Sequence, residues 1–112
     1  MTQHASLTPD RWLRFSPEQQ VLMISNEMNR ASRLLSETDA DSRGLAYERV
    51  LRLVDLSVEV AEKSTLRREL LRWRDLIGEL YVACDADPEA HASALRILLQ
   101  LTPGSAAQIP FL

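Results

Sequence analysis

Residues 64–84 read STLRRELLRWRDLIGELYVAC, and the spacing of the apolar side chains in this stretch decides the fold. Leu66, Leu70, Trp73, Ile77, Leu80 and Cys84 recur three and four residues apart, the period that aligns side chains on one face of a helix at about 100° per residue. Ser64 or Thr65 stands just ahead of the run, a residue type whose hydroxyl accepts from the free backbone N–H groups of a first helical turn. Strand signals, alternation with period two above all, are absent along the chain, so an all-α protein is expected.

Working outward from that helix, the preceding segment predicts a second one over residues 43–62, capped by Asp41 or Ser42. Its apolar arc is broad, taking in Ala46, Tyr47, Val50, Leu53, Val54 and Val58, which predicts a central helix with neighbours on two sides. Further upstream, Ser16-Pro17-Glu18-Gln19 combines a capping serine, a proline where its missing N–H costs nothing, and a glutamine that completes a capping box. A helix over 17–37 follows, with Val21, Ile24, Met28, Ala31 and Leu35 on one stripe. Thr8-Pro9-Asp10 starts a short helical turn over 10–15 whose Trp12, Leu13 and Phe15 would lid the core. On the other side, Asp87-Pro88-Glu89 opens a last helix over 88–101, stopped by Pro103-Gly104. Connections of a few residues make neighbouring helices antiparallel. The expected architecture is an up-down antiparallel bundle of three long helices, a shorter fourth and an N-terminal turn, in one domain over 1–112. Residues 1–8 read as a flexible lead-in and 103–112 as a C-terminal tail ending in Ile109-Pro110-Phe111-Leu112.

Composition narrows the function classes. The chain has 112 residues, enough for one compact domain and too few for two. Thirteen Lys and Arg face sixteen Asp and Glu, a net charge of −3 that offers no global attraction to phosphate backbones or anionic lipid. Arg67, Arg68, Arg72 and Arg74 scatter over both flanks of their helix, so nucleic acid is not the expected partner. No apolar run approaches the ~20 residues that span a bilayer, and residues 1–7 lack the basic start and apolar stretch of a signal peptide. The lone cysteine, Cys84, cannot form an internal bridge, and the expected setting is a reducing cytoplasm. On its core stripe Cys84 reads as an inert buried thiol.

Reactive groupings do not assemble from the pattern. Di-metal bundles take Glu from two helices and Glu-x-x-His from two more, whereas this chain has only His4 and His91, neither with Glu three residues ahead. The all-α nucleotide pyrophosphatases pair Glu-x-x-Glu with Glu-x-x-Asp; Glu59 and Glu62 match the first half, but Val82 follows Glu79 where the second needs an acid. His91 falls on the inner face of the last helix with Leu95, Leu98 and Leu99, where a lone histidine reads as a hydrogen-bonded core residue. No catalytic residue, metal or cofactor is expected, and the protein is not read as an enzyme.

Two groups of residues break the local pattern. Glu27 and Glu69 lie within or at the margin of the apolar arcs of their helices, where an ionised carboxylate needs a partner. Arg30 and Arg72, three residues on, are natural local partners, and a polar pocket shared by the two glutamates is the alternative. Apolar residues also appear on polar faces. Leu22 projects with Asn26 and Asn29, while Leu45 and Leu56 lie on the polar side of the second helix and Leu71 and Val82 on that of the third. Several such residues on successive helices predict a second apolar surface, a homo-oligomer seam or a groove for a partner helix.

The stretch from Ser16 to Ile24, the later Arg30-Ala31 and the succession of helices of about twenty residues resemble the layout of the flagellar secretion chaperones. That resemblance implies a hydrophobic groove that holds an export substrate in the cytoplasm. Trp12-x-x-Phe15, with residues 23–31 and Tyr47-Glu48-Arg49, is also similar to a group of small, uncharacterised bacterial all-helical proteins, a similarity that covers the first two-thirds of the chain and implies no activity. The expected function is protein binding, to a second copy or a partner segment, through Leu22, Leu45 and Leu56 with Asn26 and Asn29 as polar orienters. The alternative is a small-molecule or ion-binding enzyme using Glu27 and Glu69.

Overall fold

The computed structural model describes residues 7–62 and 64–112. Among them there are helices and no strand, in the order α1 (Pro9–Trp12), α2 (Pro17–Ser32), a 3-10 turn (Glu37–Asp39), α3 (Ala40–Val60), α4 (Thr65–Val82), α5 (Pro88–Leu99), α6 (Pro103–Ala106) and a closing 3-10 turn (Ile109–Phe111). The all-α class is the one the sequence predicts. Side-chain caps start five of the six helices. Ser16 accepts from the Gln19 backbone N–H at 3.1 Å while Gln19 reaches back to the Ser16 N–H at 2.8 Å. Thr8, Ser64, Asp87 and Thr102 accept in the same way from residues three further on.

The sixth start differs, and it moves two boundaries. The spacing predicts α2 to residue 37 and α3 from 43; α2 stops at Ser32 and α3 begins at Ala40, so Asp41 and Ser42 are helical and cap nothing. Buried Arg43 supplies the reason: its Nη1 donates to the carbonyls of Leu34 and Ser36 at 3.0 and 3.1 Å. These carbonyls would be tied into a continuing helix; the guanidinium takes them instead, and α3 grows directly out of the 3-10 turn. At the other ends, α4 stops at Val82 and α5 at Leu99, each two residues early. Cys84 therefore leaves the helix and is exposed, which corrects its reading as a buried thiol.

Each long helix packs on the next, and α5 returns to α2, which closes a ring of four; α1 seals it against α3, and α6 packs on α2. The interior is filled by Ile24, Met28, Val50, Leu53, Trp73, Ile77 and Leu98. A radius of gyration of 13.4 Å fits one such core, since a domain of about 100 residues is expected near 13 Å. Trp12 is fully buried, its Nε1 donating to Ser57 Oγ at 2.8 Å, so α1 does act as a lid, while Leu13 beside it points outward. Of the lead-in, residues 1–6 and with them His4 lie outside the described residues; Leu7 packs on the core and Thr8 caps α1. The C-terminal segment folds back over the bundle, anchored by buried Ser105, whose Oγ donates to the Leu99 carbonyl at 2.8 Å. Among the described residues no helix is long and apolar enough to cross a membrane.

Candidate functional site

The structure separates the apolar residues that the pattern groups on polar faces, and of Leu22, Leu45 and Leu56 only Leu45 is exposed, while Leu22 and Leu56 are half-buried and pack against the core. Leu22, Asn26 and Asn29 share one face of α2, four and then three residues apart, and that face forms one bank of a cleft of about 910 Å³. The opposite bank is α5, which contributes Glu89, Ala92, Ser93 and Arg96. Its floor includes Leu95, Leu99 and His91, all buried. One end is walled by Gln108, Phe111 and Leu112, with Phe111 82% and Leu112 54% exposed. Large apolar groups at such exposure beside a concave apolar floor are the hallmark of a surface that meets another molecule.

Leu45 and Leu56 lie elsewhere, on the outer face of α3, in a shallower groove of about 590 Å³. Two of the charges of that face are tied to α4. Asp55 accepts from Arg74 Nε at 2.6 Å, and Glu48 accepts from the Tyr81 hydroxyl at 2.7 Å. The hydrogen bond to Glu48, with its charge, pushes the Tyr81 pKa up, and the bond to Asp55 raises that of Arg74. This face is a lattice of side-chain ties between α3 and α4.

Glu27 and Glu69 also occupy different surroundings. Glu27, 2% exposed, accepts from Arg30 Nη1 at 3.1 Å and from Arg49 Nε at 3.0 Å. Both oxygens are thus engaged, one by the local partner expected and one by an arginine of α3. A buried carboxylate held by two guanidinium groups ties two helices together. Glu69 is half-buried in a groove between α4 and α5 with Arg72, Leu76, Ile97 and Leu101. Glu27 is not part of that groove, and among the described residues no ion pair joins Glu69 to Arg72. Nor do any three His, Cys, Asp or Glu side chains among the described residues gather to hold a metal ion.

Under the cleft lies a buried polar chain. His91 Nε2 is 3.0 Å from the Met28 carbonyl, and its Nδ1 is 2.8 Å from the Tyr47 hydroxyl. A carbonyl only accepts, so Nε2 carries the proton; Nδ1 of the neutral ring then accepts from the tyrosine. Burial pushes the His91 pKa down, against the opposing pull of the Met28 carbonyl. Burial raises that of Tyr47, with Arg43 lowering it and Asp87 raising it. The ring is a neutral clasp joining α2, α3 and α5.

The C-terminal lip and the charged pair on α5 escape a reading of the sequence. Phe111 and Leu112 carry the right chemistry, but only the return of the chain over α2 places them beside Leu22. No protein-family model, curated protein or solved structure matches this chain, so the functional reading rests on the geometry.

Proposed function

We propose that this protein is a non-enzymatic binding module that takes hold of another protein, a second copy or a partner helix, in the cleft between α2 and α5. The observation that carries the reading is the pairing of exposed Phe111 and Leu112 with the bank at Leu22 and the concave floor around Leu95 and Leu99. An amphipathic helix laid in such a groove buries its apolar face on the floor. Asn26 and Asn29, both exposed on the bank, offer amides that donate and accept at once, and so fix the register of the occupant. The resemblance of the layout to that of the flagellar secretion chaperones supports the same reading, because it implies a groove for a protein segment. A cytoplasmic setting suits the exposed thiol of Cys84, which persists as a thiol where the medium is reducing.

A photo-cross-linking amino acid placed at Asn29 tests the reading in cells that produce the protein, with the same group at Leu45 on the α3 face as control. The expected result is a covalent adduct with one defined polypeptide from position 29 and none from 45, suppressed when Asn26→Arg blocks the bank. Absence of any adduct from position 29 overturns the reading.

A further inference from the structure

Among the described residues, the side chains that line the cleft and carry a full charge are Glu89 and Arg96, and both lie exposed on α5. Between them, on the same stripe, stand Ala92 and Ser93, also exposed. The four positions fall at intervals of three, one and three, so they run along one face of the helix. Glu89 and Arg96 are two turns apart, about 10.5 Å along the axis, too far to pair with each other. Among the described residues neither forms an ion pair, while Asp55 and Arg74 on the α3–α4 face do.

The geometry points to a second copy of this chain as the occupant, its α5 laid antiparallel along α5 of the first, about a two-fold axis passing between Ala92 and Ser93. This inference rests on the cleft reading and names its partner. The stripe is complementary to itself when reversed: Glu89 of each copy meets Arg96 of the other, so one operation satisfies two pairs of opposite charge at once. The small side chains at the centre let the two helix axes approach toward the short end of the usual 8–10 Å range. The apolar surface beside the stripe, half-buried Leu22 together with the exposed Phe111 and Leu112, is what the second copy would cover. A parallel arrangement would set Glu89 against Glu89 and Arg96 against Arg96, and charge alone rejects it.

Sedimentation of the purified full chain over a wide concentration range tests the arrangement. The wild type is expected to dimerise. Glu89→Arg and Arg96→Glu each place like charges at both symmetric contacts and raise the dissociation constant about tenfold or more; the double variant exchanges the signs and recovers the dimer. Both residues also sit favourably on the helix dipole, so melting curves accompany each variant. Ala92→Arg, in mid-helix, blocks the crossing without touching the dipole and is expected to yield a folded monomer. A wild type that stays monomeric at every concentration overturns the inference, and so does a dimer indifferent to all four variants. The cleft reading fails separately, by the absence of an adduct at position 29; an adduct with a different polypeptide keeps that reading and sinks this one.

Discussion

At the scale of single residues, His91 and Glu27 carry polar groups that burial makes sensitive to change. In the unfolded chain a histidine titrates near pH 6.5; burial holds the folded-state value lower. Between those two values the unfolded chain binds a proton that the folded one refuses, so stability falls as pH drops below about 6.5 and is unaffected by this residue above it. Thermal melts at about pH 7 and 5.5 should show that loss in the wild type. His91→Leu should melt lower at the higher pH, with a flatter profile, because the Tyr47 hydroxyl loses its acceptor and the Met28 carbonyl its donor. Glu27→Ala leaves the Arg49 guanidinium facing the interior without its carboxylate and should cost about 2–3 kcal/mol in chemical denaturation, short of the full value for a buried pair because Arg30 is already in water. Glu27→Met combined with Arg49→Met removes both charges and should recover much of the loss. Cys84 should react with a thiol reagent in the native protein as fast as in the denatured chain, since no element covers it.

The helices show what local pattern reveals and where it stops. Ser16-Pro17-Glu18-Gln19 forms the capping box that its letters announce, because every atom involved belongs to four consecutive residues. The end of α2 is different. Leu34 and Leu35 continue the apolar period, and nothing nearby, glycine or proline, marks a stop. The stop comes from Arg43, nine residues on from Leu34, whose buried guanidinium takes the carbonyls of Leu34 and Ser36. Removing it by Arg43→Ala should leave those carbonyls poorly satisfied and lower stability by about 2 kcal/mol, with the loss of hydrogen-exchange protection concentrated at the N-terminal turn of α3. Cys84 misleads in the same way. Its place on the stripe of Leu66, Leu70, Trp73, Ile77 and Leu80 is real, but the chain leaves the helix at Val82, and a stripe buries only as far as its helix has a neighbour.

For the whole molecule, the consequential event is the return of residues 103–112 over α2, since it turns one side of the bundle into a cleft. Thr102 and Ser105 hold the segment through hydroxyl bonds to each other and to Leu99, and half-buried Ile109 packs on the core. Phe111 and Leu112 lie beyond that anchor. A chain ending at Pro110 should therefore melt within about 2 °C of the chain that runs to Leu112, because exposed surface positions contribute little to stability, yet lose the cross-link from position 29. The sequence by itself determined that this chain is helical, where most helices begin, and which side chains face the interior, because caps and apolar periods act within a few residues of each other. Only the tertiary structure decided that Leu22, Asn26 and Asn29 share a surface with Phe111 while Leu45 and Leu56 belong to another, and that Glu27 and Glu69 lie in separate surroundings. Those facts depend on which helix lies beside which, and side chains tens of residues apart become neighbours only when the ring of helices closes.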